Sequence, residues 1–141
     1  MAMTVCPNER PFVIVLETSA LMAIVLDEPR AADITEVMTS ADELAISAAT
    51  VAEALIVARR RGVGDAMAAL IAGLGVTIAP VTPPDAEAVA DAYDRWGRGV
   101  HPAGLNFGDC FAYALAKSRA CPLLFVGDDF AQTDIESALS P

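Results

Sequence analysis

The chain has 141 residues, 55% of them hydrophobic, and a formal net charge of −10. That length fits one domain with a core large enough to fold without staples, and the apolar content excludes a disordered body. No apolar run approaches the roughly 18 residues that span a bilayer, and three cysteines without CxxC spacing (Cys6, Cys110, Cys121) argue against a disulfide framework or a zinc site, so a cytoplasmic protein that does not enter a membrane is expected.

Residues 1–11, with Pro7, Asn8, Glu9 and Pro11, read as a short flexible leader. Phe12 to Leu16 is an unbroken apolar run, the pattern of a parallel strand buried on both faces. Thr18 or Ser19 can cap a helix from Ala20 to about Leu26, and Pro29 suits the first position of a helix that continues to about Ser40. A short strand is expected over Leu44 to Ile46. Ser47 then caps an Ala-rich helix from about Ala48 to Arg61, closed by Gly62. A second Ala-rich helix runs from about Asp65 to Ala72. Val76 to Val81 reads as a strand stopped by Pro83-Pro84, and Asp85 to Trp96 as an amphipathic helix. After a Gly/Pro loop, a helix opens at Asn106 or its neighbour, carries Asp109 and ends near Arg119. Leu123 to Val126 is the last strong strand, and Gln132 to Leu139 a last short helix. Strand and helix patterns alternate, which defines an α/β class with a largely parallel sheet. In such sheets the functional site lies beyond the carboxyl ends of the strands.

Four segments place an acid at or near those ends: Glu17 after the first strand, Glu53 on the helix that follows Ser47, Asp109 near a helix start, and the Asp128-Asp129 pair after the last strand. Each has an ordinary explanation as a helix-start, surface or turn residue. Together they predict a pocket of carboxylates. Gathered carboxylates repel one another, and a divalent cation, Mg²⁺ or Mn²⁺, is the commonest offset. The net charge opposes nucleic-acid binding, since phosphate contacts need Lys and Arg. Two local exceptions, Arg59-Arg60-Arg61 and the stretch with Arg95, Arg98 and His101, are candidates for phosphate contact at the rim of the site. His101 is a lone histidine in a Gly/Pro loop with no partner to make it a base, and Trp96 is expected to pack in the core rather than stack on a nucleobase.

The same segments carry a family resemblance. Val15-Leu16-Glu17-Thr18-Ser19-Ala20-Leu21, Glu53, Gly104-Leu105-Asn106-Phe107-Gly108-Asp109-Cys110-Phe111-Ala112, and Pro122-Leu123-Leu124-Phe125-Val126-Gly127-Asp128-Asp129-Phe130 together resemble the PIN-domain family, and within it the VapC toxin ribonucleases of bacterial toxin–antitoxin pairs. The resemblance implies a PIN-like three-layer α/β domain over residues 12–141, its central, mainly parallel sheet flanked by helices. It implies a Mg²⁺- or Mn²⁺-dependent endoribonuclease cutting structured RNA, of the tRNA or rRNA class, and leaving a 5′-phosphate. It further implies a homodimer held silent by a VapB-like antitoxin. Carried over residue by residue, Glu17, Asp109 and Asp129 are expected to hold the metal. Asp128 is the alternative to Asp129, Glu53 completes the charge balance or orients a water, and Thr18 and Ser19 act as supporting hydroxyls or plain helix caps.

One position departs from the family pattern: the first acid is normally Asp, and here it is Glu17. The extra methylene displaces the carboxylate by roughly a bond length, and Mg²⁺ tolerates little displacement of its ligands. A catalytically impaired PIN module that binds antitoxin or RNA without efficient cleavage is therefore the alternative expectation. A haloacid-dehalogenase-like phosphatase is disfavoured, because its first motif needs two Asp residues where this chain has Glu17 and Ser19.

Overall fold

The computed structural model describes residues 10–141; residues 1–9, which hold most of the expected leader and Cys6, lie outside the described residues. Four strands, β1 (Val13–Leu16), β2 (Glu43–Ser47), β3 (Thr77–Ala79) and β4 (Leu123–Leu124), form one sheet in the order β3-β2-β1-β4, with every pairing parallel. Parallel neighbours need crossover connections, and helices supply them. These are α1 (Thr18–Val25), α2 (Ala31–Ser40), α3 (Ala48–Arg60), α4 (Gly64–Gly73), α5 (Pro83–Trp96) and α6 (Phe107–Arg119).

Alternation along the strands sorts the core onto two faces. Ile14, Leu16, Ile46 and Leu124 pack with Leu21, Ile34, Ala54 and Met67 of α1 to α4. Val15, Ala45 and Leu123 pack on the other face with Val89, Trp96, Cys110 and Tyr113 of α5 and α6. The result is the three-layer α/β arrangement that the strand–helix alternation predicts. The strands carry apolar residues in unbroken runs because both of their faces are buried.

The structure departs from the expected elements in several places. Pro29 does not open α2; it sits in the preceding turn, and Arg30 is the N-cap. The third strand ends at Ala79, because Pro80 has no N–H to continue a ladder, and Pro83-Pro84 begin α5 rather than merely stopping the strand. The fourth strand is only two residues long. No helix forms over Gln132 to Leu139: a single 3-10 turn covers Phe130–Gln132, and the chain then makes one parallel bridge to β4, between Ser137 and Leu123. There the Leu123 N–H donates to the Glu136 carbonyl at 2.9 Å, and the Ala138 N–H donates to the Leu123 carbonyl at 2.9 Å. Pairing with an open sheet edge outweighs the weak helical preference of so short a segment. No helix among the described residues is long and apolar enough to cross a membrane.

Candidate metal centre

Glu17 follows β1 directly and is the N-cap of α1, with extended backbone. Its side chain turns back over the helix it caps and accepts hydrogen bonds from the Ser19 N–H at 2.8 Å and from the Ser19 hydroxyl. Only 4% of its surface is exposed. The Ser19 oxygen in turn accepts from the Val126 N–H at 2.8 Å, which ties the chain leaving β4 to the chain leaving β1. Thr18 supports a different acid: its hydroxyl donates to Glu53 Oε1 at 2.5 Å. Neither Thr18 nor Ser19 is the cap expected from the sequence, because Glu17 takes that position; their hydroxyls each bond a carboxylate instead.

Glu53 stands on α3, which begins immediately after β2 with Ser47 as its cap. Asp109 is the third residue of α6 and closes a reciprocal cap with Asn106. The Asp109 N–H donates to Asn106 Oδ1 at 2.8 Å, and the Asn106 N–H donates to Asp109 Oδ2 at 3.0 Å. This pair of hydrogen bonds fixes the Asp109 rotamer as well as the helix end. α3 lies in one helical layer and α6 in the other, and they come together over the edge of the sheet.

Glu17, Glu53 and Asp109 each bring a carboxylate oxygen within 4.8 Å of the other two. Burial, first of all, pushes the Glu17 carboxyl from its usual 4.5 up to about 7; the Ser19 bonds oppose this, and the charges of Asp109 and Glu53 add to it. Burial also raises Asp109. The Asn106 N–H and the Arg98 guanidinium pull it back, while Glu53 and Asp129 push it further up. The cluster therefore holds more negative charge than its surroundings neutralise. Its donors are all hard carboxylate oxygens, and one oxygen of each acid is already oriented by a neighbouring group. That set fits Mg²⁺ or Mn²⁺ and does not resemble a zinc or copper site.

The remaining candidates sort by position. Asp129 is exposed and stands outside the 4.8 Å group, although its charge is felt at Asp109. Asp128 faces a separate cleft lined by Arg30, Val126 and Ser137. Gly127, at φ +106°, turns the chain out of the strand just before the pair. Of the three expected metal ligands, Glu17 and Asp109 meet; Glu53, expected to be auxiliary, completes the group.

Arg59, Arg60 and Arg61 lie at the far end of α3, roughly 9 Å or more along its axis beyond Glu53 at about 1.5 Å per residue. Arg95 is engaged elsewhere, over the Trp96 ring and 3.8 Å from Asp134. Among these arginines it is Arg98 whose charge is felt at Asp109. His101 accepts from the Ala103 N–H through Nδ1 at 3.0 Å and packs edge-on against Trp96. Trp96 is buried, as expected, and donates to the Tyr113 hydroxyl at 2.9 Å. Burial pushes the Cys110 thiol up to about 11, which leaves it an unreactive core group.

The same first turn of α6 borders an apolar cleft of about 770 Å³, lined by Val81, Tyr93, Arg98, Phe107 and Phe111 among others. Phe107 is 72% exposed beside the acids. Sequence reasoning missed Gly108, which lies against the Glu53 carboxylate. The only available signal was a helix-start glycine next to a candidate acid.

Comparison with known proteins places these features in a wider set. The PIN domain family matches residues 14–136. Ribonuclease VapC28 of Mycobacterium tuberculosis is 42% identical over 129 residues, covering 89% of this chain and 97% of that protein. A VapC ribonuclease of Mycolicibacterium smegmatis is 40% identical over 124 residues, covering 86% of this chain and 96% of that one. Among solved structures, Mycobacterium tuberculosis VapC20, a sarcin-ricin loop cleaving toxin, superposes with a TM-score of 0.71 at 18% identity, over 86% of this chain and 95% of that chain. A DNA-bound VapBC complex from Salmonella typhimurium superposes with a TM-score of 0.66 at 15% identity, over 89% and 96%. At such identities the superpositions speak for the fold.

Proposed function

The chain belongs to the PIN-domain family, in its VapC branch, and on that premise we propose that it is a Mg²⁺- or Mn²⁺-dependent endoribonuclease that cleaves structured RNA as the toxin of a toxin–antitoxin pair. The observation that carries the reading is the convergence of Glu17, Glu53 and Asp109, one of them almost wholly buried, with no matching positive charge inside the group. These three acids would hold the cation, and Asp129 would act from the outer edge. When bound, the ion supplies positive charge against the phosphate oxygens and a more acidic water as nucleophile.

The chain's own groups do the positioning. Ser19 aims Glu17, Thr18 aims Glu53, and the cap with Asn106 aims Asp109. Arg98, next to Asp109, is placed to meet an RNA phosphate, which lessens the objection raised by a net charge of −10. RNA of the tRNA or rRNA class is the substrate, a VapB-like antitoxin is the partner, and the active form is a cytoplasmic homodimer of domains spanning residues 12–141. The ribonuclease names of the relatives support RNA as the substrate, and the VapBC complexes among the structural neighbours support an antitoxin as the partner.

Purified protein is expected to cleave total RNA with Mn²⁺ or Mg²⁺, to stop on addition of chelator, and to leave 5′-phosphate ends. Cleavage that persists in chelator would remove the reading. Glu17 in place of Asp favours a second reading, an impaired PIN module. Because the Glu17 carboxylate already lies within the cluster, Glu17→Asp is expected to change the cleavage rate by less than about tenfold. A gain of about 10²-fold or more, the size that a displacement of ~1 Å can produce, would favour the impaired module.

A further inference from the structure

Gly108 is the second residue of α6, between the exposed Phe107 and the cluster acid Asp109. Its backbone is ordinary helix, and no positive φ calls for glycine there. Glycine is a poorer helix former than alanine, so its presence in this first turn invites a cause beyond propensity. The cause is space. A methyl group built on its Cα would collide with the Glu53 carboxylate, whose Oε2, carboxyl carbon and Oε1 are the nearest atoms it would meet. On its other side that carboxylate receives the Thr18 hydroxyl at 2.5 Å. Glu53 is thus held between Thr18 and the bare first turn of α6, where unpaired helix N–H groups favour negative charge.

We propose that Gly108 is a positioning residue of the cation site: its missing side chain lets the Glu53 carboxylate lie against α6, within reach of an ion shared with Glu17 and Asp109. The proposal rests on the cation reading given above. It makes the glycine a requirement of its neighbour's carboxylate rather than of its own backbone. It also predicts that a single methyl group, far smaller than any change of charge, uncouples the two helical layers at the one place where both supply a ligand.

The test is Mn²⁺ binding, measured by calorimetry with no RNA present, on the wild-type chain, Gly108→Ala, Glu53→Ala and the double variant, with thermal unfolding followed in parallel. Gly108→Ala is expected to fold and to bind Mn²⁺ about tenfold or more weakly, the range seen when the support of a metal ligand is lost. Added to Glu53→Ala, it should cause no further loss. Combined with Glu53→Asp, whose shorter side chain withdraws from the new methyl, it should recover part of the affinity. Wild-type affinity in a folded Gly108→Ala protein would overturn the proposal, as would an equal loss in the Glu53→Ala background. If Gly108→Ala fails to fold, folding of the double variant with Glu53→Ala would support the collision, and its failure would overturn it. A wild-type chain that binds no Mn²⁺ would bring down the cation reading itself, a result distinct from a wild type that binds and a variant that equals it.

Discussion

Replacing Asp109 with asparagine is expected to lower RNA cleavage by at least about 10²-fold while leaving the fold intact. The asparagine amide oxygen can still accept from the Asn106 N–H, and the residue's own N–H still reaches Asn106 Oδ1, so the cap on α6 survives. What disappears is one negative charge in a group of three. That loss should weaken Mn²⁺ binding, and it should also relieve Glu17, whose protonation the Asp109 charge promotes. Activity and stability are therefore expected to move in opposite directions: the variant should be inactive, yet unfold in metal-free buffer at a temperature no lower than the wild type. A variant that loses activity together with a drop of many degrees would point instead to a structural role for Asp109.

The second large effect concerns pH. Glu17 has its carboxyl at about 7 in the folded protein, against 4.5 without its surroundings. Because the folded value is the higher one, the stability linked to its proton is fully present below about pH 4.5. It is lost as pH rises through about 7. A difference of this size corresponds to about 3 kcal/mol, a large share of the stability of a small domain. Asp109, also raised, acts in the same direction. Asp85 and Asp134, both held low by hydrogen bonds, titrate below this window and do not obscure it. Metal-free protein should therefore unfold at progressively lower urea concentration between pH 5 and pH 8. Glu17→Gln should flatten that dependence, and Mn²⁺ added at pH 8 should restore the midpoint by binding the folded form. A midpoint unchanged across this range would mean that Glu17 is solvated in solution and that the cluster is not closed as described.

Both expectations depend on placements that the sequence revealed unevenly. The strands from Val13 and Leu123 were legible because a parallel strand buried on both faces writes an unbroken apolar run. Glu17 was legible with them, since an acid ending such a run must lie at the sheet edge. Asp109 was legible as a helix-start acid preceded three residues earlier by a capping Asn. Glu53 was less so. Nothing in Val51-Ala52-Glu53-Ala54 states which face of α3 meets the other helical layer, so its role as a full member of the cluster emerged only from packing. Asp129 shows the converse: order along the chain placed it after the last strand, but its distance from the other acids depends on the turn at Gly127, a feature of one dihedral angle and not of spacing. The helix expected after Gln132 failed because local propensity says little about a free sheet edge nearby, and the outer edge of β4 offered Leu123 as a partner.

The two helical layers that supply the acids also belong to different stretches of the chain: Glu17 and Glu53 lie in the first half, and Asp109 comes more than fifty residues later. A polypeptide still emerging from the ribosome thus carries an incomplete set until α6 has been made and has docked. On the proposed reading, this order of assembly withholds the cation site from any nascent chain that has not yet reached α6, and a product terminated before Asp109 would lack one of its three acids.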